Sequence, residues 1–386
     1  MHFNRFLALL IVAISLIAVV RASTQLTTTL NIQSPTFIYE ETQLNDGSTF
    51  ANYFEFDYPN QTGGNEIYYV KLPKNSTILN AILNVTGKIT TVYKTDITAG
   101  TNSGGLLQID VSNITSRPGN EISIGTQTPT PNVFVVSGSD GEKLWDYSTG
   151  YISVTGCYVD DLTDYPGNEI AFVYGVGAGK VGTVEVLNCN DTAGTMAWKF
   201  SADDEEGRSI AVGNVDNKGK SEVVYATLQR IYLLNGSTGE EIRNISAPDS
   251  ETPNIVYVGN VSCYSGNQIL VGTTKRLHIY DENFNELWNS TDLGTINSID
   301  MGDILDDPGD EIAIGTPWGT NQGKLYLFNT SGPEPKLVWN VTMDSPPKDV
   351  RIGDAVGESP GNEIVIGDQN SNVYTFDRNG TLIWKY

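Results

Sequence analysis

The sequence predicts an all-β fold: a six-bladed β-propeller preceded by a small β-sandwich-like region. Three observations carry that prediction. First, an acidic or Gly-rich turn followed by Glu-Ile and an alternating apolar run recurs as PGNEISIG, PGNEIAFV, GKSEVVYA, SGNQILVG, PGDEIAIG and PGNEIVIG. Second, its marker residues Glu121, Glu169, Glu222, Gln268, Glu311 and Glu363 stand 43 to 53 residues apart. Third, each marker is followed by an alternating strand, a turn, and a last strand holding Trp145, Trp198, Trp288, Trp339 or Trp384, with Ile242 in that place in the third repeat. Four short strands per period of this length is the pattern of a propeller blade. No single blade can bury both its faces, so blades must stack around a ring.

In chain order, residues 1–22 read as a secretory leader. Arg5 supplies the positive start, 6–20 is a short apolar run, and Val20-Arg21-Ala22 offers small residues before a cut. An uncleaved N-terminal anchor is the alternative, and no later segment reads as a membrane span. Residues 24–100 hold strand-like runs at 36–40, 53–58, 66–71, 78–85 and 89–93, and 98–105 (TAGTNSGG) has linker composition. The blades follow at about 106–147, 151–200, 207–245, 254–290, 296–341 and 347–386. In the fifth, the strands are expected at 299–304, 311–315, 324–329 and 336–341. GGNEIYYV at 63–70 imitates the second-strand signature, so a seventh blade from about 51–94 is the rival architecture.

The formal charge is −23, and loss of Arg5 and Arg21 with the leader would make the remainder more acidic. So acidic a surface argues against nucleic acid or anionic lipid as partner. Cys157, Cys189 and Cys263 are an odd number at unfavourable spacings for pairing and read as free or buried thiols.

The inner-to-second-strand unit resembles the FG-GAP repeat of integrin-type propellers, most clearly in GNVDNKGKSEVV at 213–224. The third-to-outer-strand unit, in DGEKLW, NFNELW and NGTLIW, resembles quinoprotein-type (PQQ-like) repeats. YVKLPKNSTILNAILNVTG at 69–87 resembles a β-sandwich module of archaeal cell-surface proteins. Together these resemblances imply a secreted archaeal-type surface propeller. The FG-GAP likeness also implies Ca²⁺ in the turn after the inner strand, since that ion takes six or more oxygen ligands. Carried over, the fifth repeat offers Asp303, Asp307 and Glu311, with Leu305 a departure. The third offers Asn214, Asp216 and Glu222, with Lys218 a departure because an ammonium cannot ligate. The alternative is that these carboxylates only accept hydrogen bonds from turn N–H groups.

Twelve N-x-S/T sequons are present. Asn190, Asn235, Asn329 and Asn379 fall in third-to-outer turns, where a glycosylated rim is expected. The loops joining second to third strands lack sequons and carry Lys180, Arg230, Lys275, Arg276 and Trp318. Cations and an aromatic on an acidic chain make that face the candidate for ligand recognition; the alternative is that they are solvated hairpin ends. The Trp series reads as blade packing. With His2 in the leader and His278 in a strand, no His triad or multi-His metal site can be built. No cofactor constellation is visible beyond possible calcium.

The functional expectation is a secreted, N-glycosylated surface propeller, a binding, adhesion or scaffold module for a protein or glycan ligand. The alternative is an extracellular carbohydrate-active enzyme using Asp or Glu in the propeller channel.

Overall fold

The structure is a computed structural model. It describes residues 106–126, 132–150, 154–175, 181–202, 205–318, 321–356 and 361–386, together with short strands between residues 15 and 69. The chain divides into two compact units, 1–92 and 93–386. In the first, Thr36–Ile38, Tyr53–Phe56 and Glu66–Tyr69 form one three-stranded sheet, and Ser15–Val19 pairs with Gln25–Thr29. Among the described residues, the GGNEIYYV strand thus lies in a three-stranded sheet and not in a four-stranded blade. The rest of residues 1–22, expected as a leader, the 78–85 and 89–93 runs, and 98–105, expected as a linker, lie outside the described residues.

The second unit is a six-bladed β-propeller of six four-stranded antiparallel sheets. The inner strands are Leu106–Ser112, Val154–Asp160, Gly207–Gly213, Pro253–Gly259, Ser298–Gly302 and Pro347–Gly353. Each blade uses four consecutive strands, so no strand ladder runs from one sheet to the next. Alternation puts one apolar row of each blade against each neighbour. Blades 2 and 3, for example, share Val173, Val186, Trp198, Ile210, Val223 and Tyr225 in one cluster.

The marker residue explains why the turn after the inner strand repeats so faithfully. Glu169 Oε2 accepts the N–H of Leu162 at 2.9 Å and of Thr163 at 2.7 Å. Glu121, Glu222, Glu311 and Glu363 each take two turn N–H groups in the same way. Gln268 Oε1 takes that of Val261 at 2.8 Å. Buried N–H groups need such partners, and a side chain at the start of the next strand supplies them. Burial raises the carboxyl pKa of Glu169, Glu222 and Glu311.

The outer strands lock neighbouring blades. Trp145 Nε1 donates to Asn190 O (3.0 Å), Trp198 to Gly236 O (2.7 Å) and Trp339 to Arg378 O (2.9 Å), each in the third-to-outer turn of the next blade. Trp288 meets Phe328 edge-on at 5.8 Å. In blade 3 the expected counterpart, Ile242, falls in a bulge and is 49% exposed. Register puts Arg243 opposite Leu233, where the Trp stands in other blades, and its Nη2 reaches Asn283 Oδ1 of blade 4 at 3.3 Å.

The junction of blade 6 with blade 1 differs. Ile109 is 53% exposed, whereas its counterparts Cys157, Ile210, Val256, Ile299 and Val350 are at most 2% exposed. Trp384 is 40% exposed. Cys157, Cys189 and Cys263 are free thiols.

Candidate functional site

Five inner strands carry a register shift near their start, at Leu106/Gln108, Val154/Gly156, Gly207/Ser209, Pro253/Ile255 and Pro347/Asp349. A bulge inserts one residue and re-aims a side chain. In blades 2, 3, 4 and 6 the inserted residues are Thr155, Arg208, Asn254 and Lys348, and all four line a central cavity of about 230 Å³. Asn297, just ahead of the inner strand of blade 5, lines it too. The cavity opens on the face where inner strands begin, which is also the face of the second-to-third loops.

Its cations are Arg208, Lys348 and Arg351. Arg351 is held between carboxylates, with Nε 3.3 Å from Asp349 and Nη1 3.8 Å from Asp300. Among the described residues, the one ion-pair partner of Arg208 is Glu206, at 3.9 Å. Lys348 is exposed and has no ion-pair partner among the described residues. Two polar atoms in the lining, Thr155 Oγ1 and Arg208 Nε, are buried with no hydrogen-bond partner among the described residues.

One layer deeper, equivalent inner-strand positions place Asp110, Tyr158, Ala211, Tyr257, Asp300 and Arg351 around the channel. These carboxylates bridge blades. Asp110 Oδ2 accepts the Val159 N–H at 2.7 Å, and Asp300 Oδ2 that of Ile352 at 2.7 Å. Burial pushes both carboxyl pKa values up, against those N–H bonds and nearby Arg351. Burial likewise pushes the Tyr158 phenol to about 12.

Of the loop residues singled out in the sequence, Arg230 and Arg276 are committed to ion pairs. Arg230 Nε lies 3.4 Å from Glu205, and Arg276 bridges Asp249 (2.7 Å) and Glu251 (3.8 Å). Lys275 is exposed, and Lys180 lies outside the described residues. Trp318 is not in a loop: the second and third strands of blade 5, Glu311–Trp318 and Gln322–Asn329, extend past their expected ends and pair it with Gln322. The bulged ring was missed because an insertion in a strand leaves the apolar alternation almost intact.

In blade 5, Asp307 Oδ2 accepts from Asn329 Nδ2 and from Ser331 Oγ, the latter at 2.6 Å. These bonds lower its pKa. Asp307 Oδ1 and Glu311 Oε1 are buried without a partner among the described residues, while Asp303 is exposed. In blade 3, Asn214 Nδ2 donates to Gly219 O at 3.1 Å, Asp216 Oδ1 accepts the Lys218 N–H at 2.7 Å, and the Lys218 ammonium stands 3.7 Å from Asp216. Glu222 serves the turn N–H groups. Among the described residues, the one group of three His, Cys, Asp or Glu side chains close enough to share an ion is Asp249, Glu251 and His278. Arg276 already bridges the two carboxylates there, and His278 is fully buried between Glu286 (2.7 Å) and Glu251 (3.5 Å).

Three of the turn sequons are local turn devices. Asn190 Oδ1 accepts the N–H groups of Thr192 and Ala193, and Asn235 Oδ1 those of Ser237 and Thr238. Asn329 Oδ1 accepts the Ser331 N–H. Asn379 is exposed.

No protein-family model matches this chain, and no curated protein does. Solved structures match at the level of fold. BBS1N, solved in complex with ARL6DN, is 13% identical with a TM-score of 0.53, over 75% of this chain and 84% of that one. The Pan2 WD40 domain of Neurospora crassa is 13% identical with a TM-score of 0.51, over 73% and 78%. Saccharomyces cerevisiae Sqt1 is 14% identical with a TM-score of 0.50, over 71% and 83%. What the chain shares with them is the β-propeller fold.

Proposed function

We propose that this protein is a secreted, N-glycosylated cell-surface propeller of the FG-GAP and quinoprotein-like type, acting as a binding, adhesion or scaffold module. Its ligand face is the one on which the inner strands begin. The observation that carries this reading is the polar cavity there, with three cations in its lining on a chain of net charge −23. Propellers serve widely as interaction platforms, and one structural neighbour was solved bound to a protein partner. A calcium ion in the fifth turn belongs to the proposal. Its support is two buried oxygens with no hydrogen-bond partner among the described residues, Asp307 Oδ1 and Glu311 Oε1, which would hold it as hard oxygen donors. The test is a protein and glycan array probed with the purified protein, with and without chelator. Binding to a defined ligand is expected; a blank array would contradict the reading.

The enzyme reading draws on Asp300 and Asp349, carboxylates from different blades that flank Arg351. Against it, Asp300 accepts a backbone N–H and Asp349 accepts from Ser298 Oγ at 3.2 Å. Both are engaged in joining blades 5 and 6.

A further inference from the structure

We propose that the bulged ring at the channel mouth binds a carboxylated sugar, a single uronic-acid residue. The proposal rests on the reading that this is the ligand face, and it names the ligand's chemistry.

The lining itself argues for that chemistry. Lys348 has no ion-pair partner among the described residues, and Arg208 meets Glu206 at 3.9 Å. Two orphaned donors, Thr155 Oγ1 and Arg208 Nε, need acceptors. Leaving a buried polar group unmet is costly, so a site that keeps two is built to have them met by something that enters. A carboxylate bound by Arg and Lys makes charge-assisted bonds, the strong kind. The remaining lining is mostly hydroxyl and amide (Ser209, Asn254, Asn297, Ser298), with Tyr158, two apolar side chains, Ile255 and Ile299, and one carboxylate, Asp349. That mixture suits a ligand presenting both hydroxyls and an anion, because Asp349 would repel a simple di-anion but accept a sugar hydroxyl.

Size and charge point the same way. The cavity, about 230 Å³, is small beside the roughly 300–1,000 Å³ of drug-sized clefts, and fits one sugar ring. The overall negative charge does not forbid an anion, since its field is screened beyond about 8 Å at physiological salt. Within that distance Lys348 and Arg208 face the cavity, while Arg351 is taken up by Asp349 and Asp300.

The test is calorimetric titration of the purified protein with D-galacturonate, D-glucuronate, D-galactose and glutarate. A uronate is expected to bind at least about tenfold more tightly than galactose or glutarate, the discrimination due to a charged bond plus hydroxyl contacts. Lys348→Gln, at an exposed position that leaves the fold intact, and Arg208→Gln are each expected to weaken the uronate about tenfold. Absence of uronate binding, equal binding of galactose or glutarate, or binding unchanged in Lys348→Gln would each overturn the assignment. If an array ligand binds equally well to Lys348→Gln and uronates do not bind, this inference fails while the binding-module reading stands. Uronate binding lost in Lys348→Gln beside a blank array supports the site and removes the wider reading.

Discussion

Glu169 reaches back seven residues to hold the Leu162 N–H at 2.9 Å. That contact fixes the turn between inner and second strand, and it is repeated around the propeller. Gln268 does the same with an amide oxygen, so the job needs an acceptor and not a charge. Glu169→Gln is therefore expected to change stability by under about 1 kcal/mol, while Glu169→Leu leaves two N–H groups unmet and costs about 2–4 kcal/mol. Denaturant unfolding of the two variants checks this.

Stability should rise on mild acidification. Glu169, Glu222 and Glu311 have folded pKa values above the ordinary 4.5, and Asp110 and Asp300 above 3.8. For a raised pKa, the stabilising contribution is complete below the unfolded value and is lost as pH rises through the folded one. Asp307, with a lowered pKa, contributes above 3.8 and loses its contribution as pH falls further. The expected maximum lies near pH 4–5, and Glu169→Gln should flatten the limb between there and neutrality. A series of melting curves across pH measures both.

The locks between blades should be unequal. Trp198→Phe gives up the bond to Gly236 O and is expected to cost about 1–2 kcal/mol. Trp384, 40% exposed, should tolerate the same change within about 0.5 kcal/mol. Ile109→Ser should likewise be nearly neutral, and Ile210→Ser should cost about 3 kcal/mol or more. Hydrogen exchange should find Leu106–Ser112 the least protected inner strand.

Glycan occupancy should follow the hydrogen bonds. Asn190 and Asn235 engage their turns through Oδ1, which leaves Nδ2 for a glycan. Asn329 donates its Nδ2 to Asp307. Asn379 Nδ2 makes only a long bond, 3.4 Å to Asp377 Oδ2. Glycopeptide mapping of the protein from its source is expected to find Asn190 and Asn235 occupied, Asn379 less so and Asn329 bare.

The six blades were legible because the marker, the alternating strands and the Trp position repeat, and each repeat reflects one physical demand of a blade. The role of Glu311 was legible only in part. Its spacing suits a calcium ligand and a turn acceptor equally, and the structure adds the acceptor role through Oε2, which takes the Ile304 and Leu305 N–H groups. Arg208 and Lys348 carried no signal, because a bulge breaks strand register without breaking composition. Arg230 and Arg276 stood out as cations, but Glu205, Asp249 and Glu251, which neutralise them, come from other segments of the chain.

The most direct measurement is hydrogen exchange on the purified protein with and without a ligand found on the array. Protection is expected at the starts of the inner strands, around Thr155, Arg208, Asn254 and Lys348. Protection confined to the opposite turns, around Ile114, Ile304 and Asp307, would contradict the account.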